Sequence, residues 1–110
     1  MEQAVLRIEG LPQGALDAAA QFHAEWLPRA REALAEAGAV ALVFPPAPYD
    51  HRGWRLAAVQ DLAREAAPKR VNAVAGDDEP AIADTLAWLA QVPGITGQLL
   101  AVDGKSGAKG

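Results

Sequence analysis

The order of elements in this chain predicts a three-layer α/β fold built on a short parallel sheet of about four strands. Three observations predict it. Apolar, β-branched runs alternate with stretches of helical periodicity, giving the order β-α-β-α-β-α-β. The run Val40-Ala41-Leu42-Val43-Phe44 is apolar without a break, as is usual for a parallel strand covered on both faces. A chain of 110 residues, 51% hydrophobic, has room for one core, and no linker or internal repeat divides it. One domain over residues 1–104 and a glycine-rich, flexible tail over 105–110 are expected.

The first strand candidate is Ala4-Val5-Leu6-Arg7-Ile8, closed by Gly10 and Pro12. From Gly14 to Ala37 the periodicity is helical. Leu16, Ala19, Ala20, His23, Trp26, Leu27, Ala30, Leu34 and Ala37 recur at three- and four-residue spacing, which places His23 on the apolar side as a structural histidine. Pro28 lies inside this run, removes a backbone donor and should kink the helix or mark a join. Gly38 is a natural stop, and Val40–Phe44 is the second strand. Pro45-Pro46-Ala47-Pro48 breaks regular structure. Leu56, Val59, Leu62 and Ala63, with Arg55, Asp61 and Arg64 opposite, predict an amphipathic helix ending near Pro68. Val71–Ala75 is the third strand. Asp77-Asp78-Glu79 and Pro80 open a helix that carries Ile82, Leu86, Leu89 and Ala90, since acidic residues and proline suit a helix start. Pro93-Gly94 ends it, and Gln98–Val102 is the last strand. Right-handed crossovers are expected between the strands.

Composition removes several classes of function. A net charge of −4 argues against a nucleic-acid surface, which needs clustered Lys and Arg. The absence of cysteine removes disulfides, thiolate nucleophiles and thiolate metal sites. No signal peptide is visible and no run approaches the roughly 20 apolar residues of a membrane span, so a cytoplasmic protein is expected.

Tyr49, Asp50, His51 and Arg52 form the densest polar cluster and follow the carboxyl end of a strand, where open α/β sheets place their sites. Tyr49 or His51 could shuttle a proton, with Arg52 holding an anion. A solvated surface loop is the ordinary alternative. Asp77, Asp78 and Glu79 point in different directions as neighbours must, and no histidine lies at ligand spacing, so a charged helix start is expected rather than a metal site. Lys105-Ser106 lacks the upstream glycine of a phosphate-binding loop, since position 99 is leucine. The three tryptophans, Trp26, Trp54 and Trp88, fall one on each helix, as core anchors or interface residues.

Several of these segments, in this order, resemble the C-terminal half of the short-chain dehydrogenase/reductase family. They are Leu27-Pro28, Leu62-Ala63-Arg64-Glu65, Arg70-Val71-Asn72-Ala73-Val74-Ala75-Gly76 and Ile95-Thr96-Gly97 leading to Val102-Asp103-Gly104. The resemblance is closest over residues 56–104 and weaker back to about residue 14. It implies a Rossmann-like half-domain. The family's glycine-rich nucleotide turn has no counterpart before position 14, so no cofactor is expected. The family's Tyr-x-x-x-Lys pair falls at about Pro48 and Arg52, with Tyr49 one residue off and Gly53 four after it, its serine near Phe44 or Pro45 and its asparagine near Ala15. No serine precedes Ser106. Standard catalysis with NAD(P) is therefore not expected.

The function these features suggest is a non-catalytic dehydrogenase-like protein acting through oligomer assembly or protein binding, as a homodimer or with a dehydrogenase-like partner. The resemblance implies an interface on the helices of Trp26 and Trp54, with Leu56 and Val59 beside them. Two alternatives remain open. One is an atypical oxidoreductase, or a subunit completing a site in a hetero-oligomer, carried by Tyr49, His51 and Arg52. The other is a small-molecule binding module using the pocket at the strand ends.

Overall fold

A computed structural model describes residues 2–102; position 1 and positions 103–110, which include Asp103-Gly104, Lys105-Ser106 and the expected tail, lie outside the described residues. Four strands form one parallel sheet in sequential order: β1 (Gln3–Arg7), β2 (Ala39–Phe44), β3 (Arg70–Ala75) and β4 (Leu99–Ala101). β2 is buried at all its positions, as its unbroken apolar run requires.

The alternation of side chains along each strand divides the core into two layers. Val40, Leu42, Phe44, Val71 and Ala73 face a large cluster with Phe22, Trp26, Leu34, Val59 and Leu62. Phe22 and Trp26 come from the turn that joins α1 (Ala15–Gln21) to α2 (Leu27–Glu36), Leu34 from α2, and Val59 and Leu62 from α3 (Arg52–Ala66). On the opposite face Val43 and Val74 meet Ile82 and Leu89 of α4 (Glu79–Gln91). The predicted three-layer α/β architecture is therefore the one observed.

The join expected at Pro28 is a wider turn rather than a break. α1 and α2 run on through a π-helical turn at Phe22–Trp26, where Leu27 N–H bonds to Phe22 O five residues back. Widening just before Pro28 relieves the proline ring, which would crowd the carbonyl four residues earlier. The shift also rotates the apolar stripe. Leu16 is 88% exposed and His23 is exposed, its Nδ1 2.8 Å from Ala19 O, so neither lies on the buried face that a regular 3.6-residue period assigns them.

The crossovers differ from expectation in a second respect. All three step the sheet in the same direction, yet the first two pack on one face and α4 packs on the other. The third crossover therefore has the opposite hand, and the rule of uniform right-handed crossovers fails here. α4 reaches back as far as β1, where Gln3 Nε2 donates to Leu86 O and Arg7 pairs with Glu79 at 3.0 Å. It covers a face that no other helix among the described residues covers.

The β3–β4 seam explains the motif residues. Asn72, 2% exposed, donates from Nδ2 to Ile95 O at 2.9 Å and accepts from Gln98 N–H at 3.0 Å. Thr96 Oγ1 accepts from Val71 N–H, and Gly97, at φ +75, donates to Val71 O at 2.7 Å. Arg70 donates to Leu89 O and Val92 O, which closes the carboxyl end of α4. The two motifs are the two sides of one hydrogen-bonded seam.

Candidate functional site

At the carboxyl ends of β2, β3 and β4 lies a cleft of about 1000 Å³. One wall is Pro46–Tyr49 with His51, Arg52 and Arg55; the other is Ala75–Asp78 with Leu99, Ala101 and Val102. The chain leaves β2 through prolines that cannot continue a ladder. It leaves β3 at Gly76, where an added Cβ would stand 2.0 Å from Val102 O, so only glycine lets β4 close over this point. The cleft thus sits where parallel sheets carry their sites. A second cleft, about 500 Å³, lies across the Pro45–Pro48 segment against Leu11, Pro12 and Gln13. His51 and Arg55 line both.

The polar cluster expected here divides sharply. Tyr49 is 85% exposed, and Asp50 and Arg52 are exposed, on a single 3₁₀ turn over Tyr49–His51. His51, by contrast, is 4% exposed, which corrects the picture of a solvated loop. Both its ring nitrogens are engaged. Nε2 lies 2.8 Å from Gln13 O, and Nδ1 accepts from Trp54 Nε1–H at 3.2 Å. These partners assign the neutral ring with its proton on Nε2. His51 ties α3 to the loop after β1, and a proton shuttle would have to break one of these bonds.

The residue that sequence periodicity misplaced is Arg55. It was expected on the polar side of α3, yet it is 6% exposed. Its place follows from the spacing 55, 59, 62 and 66, which puts it in the first position of the buried stripe. That spacing was available in the sequence, but a charged residue at the head of an apolar stripe invites assignment to the solvent face. The guanidinium lies 4.5 Å from the Phe44 ring and 5.9 Å from that of Trp54. Nη1 donates to Pro45 O at 3.0 Å, Nε has no partner, and no carboxylate among the described residues stands at ion-pair distance. Burial pushes its pKa below the ordinary arginine value. The group nevertheless stays charged at neutral pH, because guanidinium does not deprotonate in proteins.

The acidic residues take structural work. Asp78 caps α4 by accepting from Ala81 N–H at 3.3 Å, and Glu79 holds Arg7. Among the described residues no group of three side chains able to ligate a metal gathers anywhere.

The helix residues expected at an interface are divided by depth. Trp26 is 7% exposed and Val59 fully buried, so both belong to the monomer core, while Trp54 and Leu56 are half-buried. Trp54 packs against Phe22 at 5.5 Å and Phe44 at 5.7 Å. Trp88, 50% exposed, is the tryptophan that most faces outward. No helix among the described residues is long and apolar enough to cross a membrane.

No curated protein and no solved structure matches the chain significantly. The family model described as short chain dehydrogenase-like protein matches residues 6–102, which takes in every strand from the middle of β1 onward, both motifs of the seam and both walls of the cleft. By that match the chain belongs to the short-chain dehydrogenase-like family.

Proposed function

We propose that this chain is a non-catalytic member of its family that keeps the strand-end cleft as a binding site and holds a small ligand there without transforming it. The single observation that carries this reading is the pairing state of the cleft. Its buried histidine is locked by two hydrogen bonds, while its buried arginine makes one, from Nη1, and leaves the buried Nε and Nη2 without partners among the described residues. A general base needs a free lone pair within reach of substrate, whereas a binding residue needs free donors. At about positions 48 and 52, where the family resemblance locates the catalytic tyrosine and lysine, stand Pro48 and Arg52, and the neighbouring Tyr49 has Gly53 four residues on.

The test combines a turnover assay and a binding map. With NADH or NADPH and a panel of aldehydes and ketones, no hydride transfer is expected. Small-molecule fragments screened by amide chemical shifts should perturb Gly76, Leu99 and Val102 together. Turnover that disappears in Tyr49→Phe, or dinucleotide binding tighter than about 100 μM, about −5.5 kcal/mol, would replace this reading with an enzymatic one.

A second reading, assembly with another copy of the chain, is favoured by the edge of β1. Ile8 N–H bonds to Val43 O and Gly38 N–H to Glu2 O, so the even-numbered residues face β2. The backbone groups of Gln3, Val5 and Arg7 consequently point outward, and Val5 is 42% exposed. Light scattering after size exclusion should then give twice the chain mass, reverting to the monomer in Val5→Pro. A monomer at micromolar concentration in the unsubstituted protein removes this reading.

A further inference from the structure

We propose that Arg55 is the anchor of an oxyanion site, and that the ligand of the strand-end cleft is a small organic acid with its anionic group against Arg55 and an apolar body along Leu99 and Val102. This rests on the reading of the cleft as a binding site and adds the chemical class of the ligand. A buried charge with no counter-charge is costly, and folded proteins pair or hydrogen-bond such groups. Among the described residues Arg55 has one hydrogen bond, to a neutral carbonyl, and two aromatic rings beside it. The Phe44 ring faces the guanidinium, its centroid 4.5 Å from Cζ, and Nη2 has no hydrogen-bond partner among the described residues. A planar fork of donors matches a carboxylate or a phosphate better than any neutral group.

The other charges of the cleft set the orientation. Arg52 lies one turn earlier on the same wall and is exposed. Asp77 and Asp78 stand on the opposite wall, with Asp78 occupied as the α4 cap. An anionic head is therefore attracted to the α3 wall and repelled from the β3–α4 turn. The apolar part of that opposite wall, Ala75, Leu99, Ala101 and Val102, suits a hydrocarbon body.

The experiment compares hexanoate, its neutral counterpart hexanamide, and inorganic phosphate, each titrated into the whole chain. Readouts are the Arg55 Nε–H resonance and the thermal midpoint. Hexanoate should bind at least about tenfold tighter than hexanamide, shift the Arg55 resonance and raise the midpoint. Arg55→Met should fold with an unchanged or higher midpoint and lose the preference for hexanoate. Phosphate that matches hexanoate and also depends on Arg55 supports the oxyanion site and identifies the head group as phosphate. Hexanoate and hexanamide binding equally overturns the oxyanion site yet leaves an apolar binding cleft. If none of the three probes binds, both readings fall. An Arg55→Met protein that is strongly destabilised while the unsubstituted chain ignores charge makes Arg55 a structural strut instead, and overturns the proposal.

Discussion

The β3–β4 seam and the strand-end cleft lie a few residues apart on the same strands, yet they treat polar groups in opposite ways. In the seam every buried donor and acceptor of Asn72 has a partner, and Arg70 closes two carbonyls at the end of α4. In the cleft the equally buried Arg55 has an unpaired Nε and, among the described residues, no carboxylate beside it. A satisfied network fixes one geometry and contributes to stability, whereas an unsatisfied charge is a cost that a ligand can remove. The seam holds the fold, and the cleft is left open for something else.

Substitutions should separate the two regions by stability. The largest effect is expected in the seam. Asn72→Ala leaves Ile95 O and Gln98 N–H without partners and should cost about 2–4 kcal/mol in chemical denaturation. A loss under 1 kcal/mol would mean that the seam is hydrated and the contrast overstated.

His51 stands between the regions, buried like Asn72 but lining the cleft. His51→Phe removes the partners of Gln13 O and Trp54 Nε1–H and should cost about 1–2 kcal/mol. An unchanged unfolding midpoint would instead return His51 to the list of candidate proton carriers. For Arg55→Met the expected change lies between none and a gain of about 1 kcal/mol, because an apolar chain of similar length replaces an unpaired buried charge. That sign, opposite to Asn72→Ala, is the sharpest test of the comparison.

The smallest effect belongs to the surface. Arg31 donates twice to Glu65 at 2.8 Å, and this contact holds the Glu65 carboxyl below its usual pKa and raises that of Arg31. The pair's contribution is therefore present above the ordinary carboxylate range and fades as pH falls through the depressed Glu65 value. Glu65→Gln should flatten that part of the stability–pH profile, and added salt should weaken the effect in the parent chain.

How much of this was legible in the sequence varies residue by residue. The strands and helices were legible because their apolar spacing is a local property, and Val40–Phe44 needed nothing more than its own five residues. The seam was legible as a pattern, Arg70-Val71-Asn72 with Ile95-Thr96-Gly97, though not as a set of contacts between the two. The site was legible only in location. Tyr49, His51 and Arg52 marked the right strand end, but Arg55 was assigned to the solvent face, and the difference between exposed Tyr49 and locked His51 depends on Gln13, distant in sequence.

What the sequence determined by itself was the fold class, the order of the strands and the family, because each rests on periodicity or on short motifs. Tertiary structure alone decided three things. It sent α4 to the opposite face, since the hand of a crossover depends on which sheet face remains uncovered. It rotated Leu16 and His23 to the surface, through the wider turn before Pro28. It buried Arg55 with no counter-charge among the described residues, because the end of β2, the proline segment and α3 meet there, and no local pattern records which charges such a meeting leaves unpaired.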